Sequence, residues 1–116
     1  MVTHIKGRRI FSLASAREIL PVVKRVTADA AKAVKALSLR MDLMKAGPER
    51  DDLEEELASL VEVWASKIIK LGAEAKGLWL VDFDSGHGYY CWRFPEIEIT
   101  HFHDYETGFA GRQQIN

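Results

Sequence analysis

The chain has 116 residues, enough for one domain with a single hydrophobic core, and its 16 basic and 17 acidic side chains leave a formal charge of −1. No positive field therefore draws it to a nucleic-acid backbone or an anionic membrane, and neither partner is expected. A single cysteine, Cys91, excludes an internal disulfide framework and suits a reducing compartment; no apolar run reaches the roughly 20 residues of a membrane span, the N-terminal MVTHIKGRRIF lacks a signal peptide's apolar centre, and a soluble cytoplasmic protein is expected.

His4 to Phe11 reads as a lead-in to a helix that begins near Leu13, with Ser12 as N-cap and Phe11 as a hydrophobic staple. The apolar positions Ala16, Ile19, Val23, Val26, Ala30, Ala33, Leu37, Met41 and Met44 recur every three or four residues, which predicts a helix lasting to about Ala46. Pro21 removes one ladder bond, so either a bend or a short first helix is expected there.

Gly47 and Pro48 break this pattern and open a second helix whose stripe is Leu53, Leu57, Leu60, Trp64, Ile68, Leu71 and Ala75. Two such stripes predict an antiparallel, coiled-coil-like hairpin over residues 12–76. Leu13 to Ala46 carries seven Lys/Arg against three acidic residues, and Glu49 to Val63 seven Asp/Glu against Arg50, so a basic helix lies beside an acidic one. A helix of some 30 residues is about 45 Å long, more than three short strands can cover. Self-association through the hairpin is the consequence.

After Gly72 and Gly77 the period changes to two, and residues 77–112 read as a β-meander followed by a C-terminal turn. Leu78–Phe83, Tyr89–Phe94 and Ile97–His103 are the three predicted strands. Simple hairpin registers place Asp82 opposite Tyr90, and Tyr90 opposite His101. One face then carries Leu80, Asp82, Tyr90, Trp92, Ile97, Ile99, His101 and His103; Cys91 points the other way, and Arg93 and Glu98 form a cross-strand pair. The fold class is α+β: a long antiparallel helical hairpin followed by a small three-stranded antiparallel meander.

Leu20-Pro-Val-Val23, Gly77-LWLVD-Phe83, Tyr90-CWR-Phe94 and the terminal His103-DYETGFAGR-Gln113 together resemble a small prokaryotic family, domain of unknown function 2203, over nearly the whole chain. The resemblance implies a long helical hairpin followed by this β segment, and transfers no activity. The family's usual Trp-His before an acidic residue maps onto Phe102-His103-Asp104. The resemblance also implies that His101 and Asp84 depart from the common pattern, which has a non-His residue and a proline there.

Three sites follow from these residues. His101 and His103, two apart on one strand, can chelate a metal with Asp82 or Asp104 supplying oxygen; the structural alternative is a histidine buried against Trp92 and hydrogen-bonded to a carboxylate. Gly108-Phe109-Ala110-Gly111-Arg112 can present N–H groups and a guanidinium to an anion, or can simply close the fold, with Arg112 paired to an acidic residue such as Asp82 or Asp104. Asp82 and His103, alone or joined by Tyr90 or Cys91, are the minimum for general acid–base work, but nothing identifies a nucleophile and no catalytic residue is assigned. The ligand-binding set is thus Asp82, Tyr90, Trp92, His103, Asp104 and Arg112. The expected function is a homo-oligomeric structural or adaptor module without a cofactor; the alternative is an anion- or metal-binding protein using Asp82, His103 and Arg112.

Overall fold

The computed structural model describes residues 3–5 and 8–115 of the chain; positions 1, 2, 6 and 7 of the N-terminal lead-in lie outside the described residues. Strands β1 (Thr3–Ile5) and β2 (Arg8–Ile10) form a two-stranded ladder, followed by helices α1 (Leu13–Asp42) and α2 (Pro48–Lys70). A second sheet follows, with β3 (Glu74–Gly77), β4 (Leu80–Asp84), β5 (Tyr89–Arg93), β6 (His101–His103) and β7 (Gln113–Gln114) antiparallel in that order. A helical hairpin followed by an antiparallel sheet is the α+β fold expected, but with five strands in place of three. The extra strands come from the ends of the meander: β3 is the segment assigned above to the end of α2, and β7 pairs the C-terminal segment with β6.

Ser12 caps α1 as predicted, in a reciprocal box in which each serine's Oγ accepts the other's backbone N–H, at 3.0 Å and 2.9 Å. The helix continues through Pro21 as one element and ends at Asp42, four residues short of the expected Ala46. Gly47 serves as the N-cap of α2, with Pro48 at the first helical position where its missing N–H costs nothing. At the other end α2 stops at Lys70. Gly72, at φ 91°, donates to Ile69 O and Ala73 donates to Ile68 O, a Schellman arrangement that needs a residue without a side chain at the left-handed position. The chain then turns straight into β3.

The core lies between one sheet face and the helix bases: Val81, Phe83 and Trp92 pack with Ala16, Leu20 and Val23 of α1 and with Trp64 and Ile68 of α2. Phe11 joins them, its ring edge-on to Phe83 at 5.3 Å. Farther out the hairpin has little cover. Beyond Thr27, α1 buries only Leu37, and α2 buries only Trp64 and Ile68. The molecule measures 48 × 27 × 25 Å, long along the hairpin. Among the described residues no helix is long and apolar enough to cross a membrane.

The register differs from the expected one by a single residue in both hairpins. Asp82 lies opposite Cys91, and Tyr90 opposite Phe102. The reason is the turn after Asp84, which is four residues long: Ser85 N–H and Oγ both reach Gly88 O at 2.8 Å, and Asp84 Oδ1 accepts the Gly86 N–H at 2.8 Å. With Asp84 and Tyr89 closing the ladder, every β5 side chain changes face relative to the predicted alignment. Tyr90 and Trp92 therefore share the helix-facing side with Val81 and Phe83, and Cys91 joins Asp82. The third predicted strand shrinks to His101–His103, so Glu98 lies outside the ladder; Arg93 instead donates its backbone N–H to Glu96 Oε1.

Candidate functional site

The sheet face turned away from the helices carries Asp82 and Asp84 from β4, Tyr89 and Cys91 from β5, and His101 and His103 from β6. An outer face of polar residues would normally be wet, yet Asp82, Asp84, Cys91 and His103 are at most 4% exposed. The chain after β6 provides part of the cover. Tyr105 donates its hydroxyl to Asp84 Oδ1 at 2.7 Å and stacks edge-on to Tyr89, whose ring also tilts against His103.

His103 is held at both ring nitrogens: Nδ1 is 2.7 Å from the Asp104 carbonyl and Nε2 is 2.9 Å from Asp82 Oδ2. The carbonyl can only accept, so Nδ1 carries a hydrogen, and the short Nε2···Oδ2 approach needs one more proton between ring and carboxylate. The pair is therefore imidazolium with carboxylate, or imidazole with carboxylic acid. Asp82 Oδ1 has no hydrogen-bond partner in good geometry, although the Cys91 thiol lies against the same carboxylate. Burial raises the Asp82 pKa, against the opposing pull of the His103 charge and of hydrogen bonds from Cys91 and His103. The Cys91 thiol is pushed up to about 12, by burial first and by the Asp82 charge next. One ligand-capable atom from each of Asp82, Cys91 and His103 lies within 4.8 Å of the others.

The other residues of the expected set are placed elsewhere. Arg112 makes a two-pronged pair with Glu96, at 2.7 Å and 3.1 Å, stacks on Phe109, and has its guanidinium close enough to Cys91 to favour the thiolate. Burial raises the Glu96 pKa, but the Arg112 hydrogen bonds, the Arg93 backbone N–H and the Arg112 charge together outweigh it and hold the carboxyl below its usual range. Asp104 is exposed; its Oδ1 accepts the backbone N–H groups of Glu106 and Thr107, and these bonds, Thr107 foremost, depress its pKa. His101 is half-buried, opposite Cys91 in the ladder, with Nδ1 3.0 Å from Thr100 Oγ1. Tyr90 packs on the core side against Phe102, and Trp92 is fully buried there with its indole N–H donated to Glu96 O. Sequence reasoning brought Asp82 and His103 together but set Cys91 on the opposite face, and a one-residue change of register moves it onto theirs. The readable signal was the Asp84-Ser85-Gly86-His87-Gly88 turn, whose length sets that register.

A family model described as "Uncharacterized conserved protein (DUF2203)" matches residues 9–115. No curated protein and no solved structure matches the chain.

Proposed function

The chain belongs to the DUF2203 family, and on that premise we propose that it is a homo-oligomeric structural or adaptor module in which two copies join through their helical hairpins. One observation carries the reading: of the 23 residues of α2 only Trp64 and Ile68, both near the sheet, are buried. Val34, Met41, Leu53, Leu57 and Leu60 remain half-buried, and Leu39 and Leu43 are exposed. A two-helix layer has no third surface to cover its seam, and a second hairpin supplies one. Completing the burial of a side chain of this size contributes about 1 kcal/mol. Five on each copy reach the scale of the association cost, about 4–15 kcal/mol. The helices' opposite charges favour a two-fold pairing that sets the basic α1 of one copy on the acidic α2 of the other. Sedimentation equilibrium at micromolar concentration is the test: a dimer supports the proposal, and a monomer removes it.

A second reading, a ligand-binding protein using the polar sheet face, is favoured by the buried Asp82 Oδ1 that lacks a hydrogen-bond partner. A thermal-shift screen with divalent metals and inorganic anions tests it, and a flat response to all of them removes it.

A further inference from the structure

We infer that Asp82, Cys91 and His103 bind a divalent d-block cation of the zinc type, with a carboxylate oxygen, the thiolate sulfur and the imidazole Nε2 as protein ligands. The inference rests on the ligand-binding reading of this face and names the class of ligand.

The donor atoms come first. They lie within 4.8 Å of one another on side chains that are 2%, 0% and 4% exposed. Ligands about 2.0–2.3 Å from a tetrahedral zinc ion stand about 3.3–3.8 Å apart, so the donor atoms must draw together by up to about 1 Å, within the reach of side-chain rotations, to complete the set. One oxygen, one sulfur and one nitrogen suit zinc or cobalt, whereas calcium and magnesium take oxygen alone. Three protein ligands leave a fourth position for water or a small molecule.

The imidazole is already oriented for the role. Nδ1–H is donated to the Asp104 carbonyl, which turns Nε2 toward Asp82, as the outer hydrogen bond of a metal-binding histidine does. Asp82 is the part of the cluster that the protein alone leaves incomplete: Oδ1 is buried with no hydrogen bond of good geometry, and only the Cys91 thiol stands beside the carboxylate.

Proton counting decides why a cation belongs in so dry a place. Without metal the cluster is neutral: a thiol, and an aspartate–histidine pair that shares one proton. With metal it holds a thiolate, a carboxylate and a neutral imidazole around a 2+ ion, and is neutral again. A divalent ion thus replaces two protons, the thiol's and the pair's, with no change in buried charge and without the several kcal/mol that an uncompensated ion costs there. The surrounding charges are already engaged. Arg112, beside Cys91, is held by Glu96, Lys76 is paired with Glu74, and Asp84 binds Tyr105.

The test uses the full chain, untagged and stripped with chelator, titrated with Co2+ near neutral pH. The expected result is one cobalt per chain with a sulfur-to-cobalt charge-transfer band. Calorimetry in two buffers of different ionisation enthalpy should read two protons released per ion. Cys91→Ser should abolish the band, and Asp82→Asn should weaken binding tenfold or more, each with an unchanged far-UV dichroism spectrum. Cobalt bound without the sulfur band, or a band that survives in Cys91→Ser, overturns the assignment. A thermal shift with phosphate or sulfate but no cobalt uptake overturns the metal and leaves the ligand-binding reading standing; no response to either removes both.

Discussion

Trp64 on α2 donates its indole N–H to Thr27 Oγ1 on α1 across 2.8 Å, and both residues are buried. This bond pins the two helices together where they leave the sheet, so it fixes the hairpin's direction as well as satisfying two polar groups. Thr27→Val leaves the indole N–H without a partner and is expected to cost about 1–3 kcal/mol. A double-mutant cycle with Trp64→Phe, read by urea unfolding, should give a coupling of about 1 kcal/mol. Strict additivity would show that the bond contributes nothing.

Leu57 lies on the half-buried stripe of α2, far from the core. Leu57→Glu is expected to shift a dimer to monomer at micromolar concentration, because a charge at an apolar seam must be desolvated without a partner. The far-UV dichroism of the monomer and the fluorescence of core Trp92 should be retained. A variant that stays dimeric would place the contact on another surface.

The Glu96–Arg112 pair gives a pH signature of definite sign. The folded Glu96 pKa lies below the ordinary glutamate value of 4.5, so the folded state binds the proton less readily than the unfolded chain does. The pair's contribution is present above about 4.5 and is lost as pH falls through the depressed folded value. Glu96→Gln should therefore destabilise by about 1 kcal/mol at neutral pH, the scale of a partly exposed two-pronged pair. Denaturation curves of both proteins should converge at acid pH.

Gly88 sits where a Cβ would come 2.5 Å from the Phe102 ring and 2.7 Å from the His103 carbonyl oxygen. The backbone oxygen cannot rotate away, so Gly88→Ala should cost about 1–3 kcal/mol and displace the strand that carries His103. Gly108→Ala meets nothing within 4 Å, but its φ 63° and ψ −163° lie in a region almost reserved for glycine, a backbone penalty of about 1–3 kcal/mol. Thermal unfolding should show both variants destabilised; a Gly88→Ala protein as stable as the parent would count against the close approach.

Cys91 is fully buried with its thiol pushed up to about 12, so almost no thiolate exists near neutral pH. Its reaction with a disulfide reagent should run at least a hundredfold slower in the folded protein than in the unfolded chain. Comparable rates in the two states would mean that the site opens readily to solvent.

How much of this was legible in the chain divides along physical lines. Helix periodicity, the Ser12 cap and the Gly47-Pro48 break depend on residues within a few positions of one another, so spacing alone placed both helices, and the change to period two marked the sheet. The aspartate and histidine of the polar cluster were legible as well, because Asp82 and His103 stand on strands that any meander brings near. Which residues share their face was decided only in three dimensions. Antiparallel pairing has a period of two, so one residue more or less in the turn after Asp84 exchanges Tyr90 for Cys91 beside Asp82. That count is set by Ser85 and Asp84 hydrogen-bonding within the loop. The burial of the outer face was likewise out of reach, since it depends on Tyr105 and the C-terminal turn folding back over strands more than a dozen residues earlier.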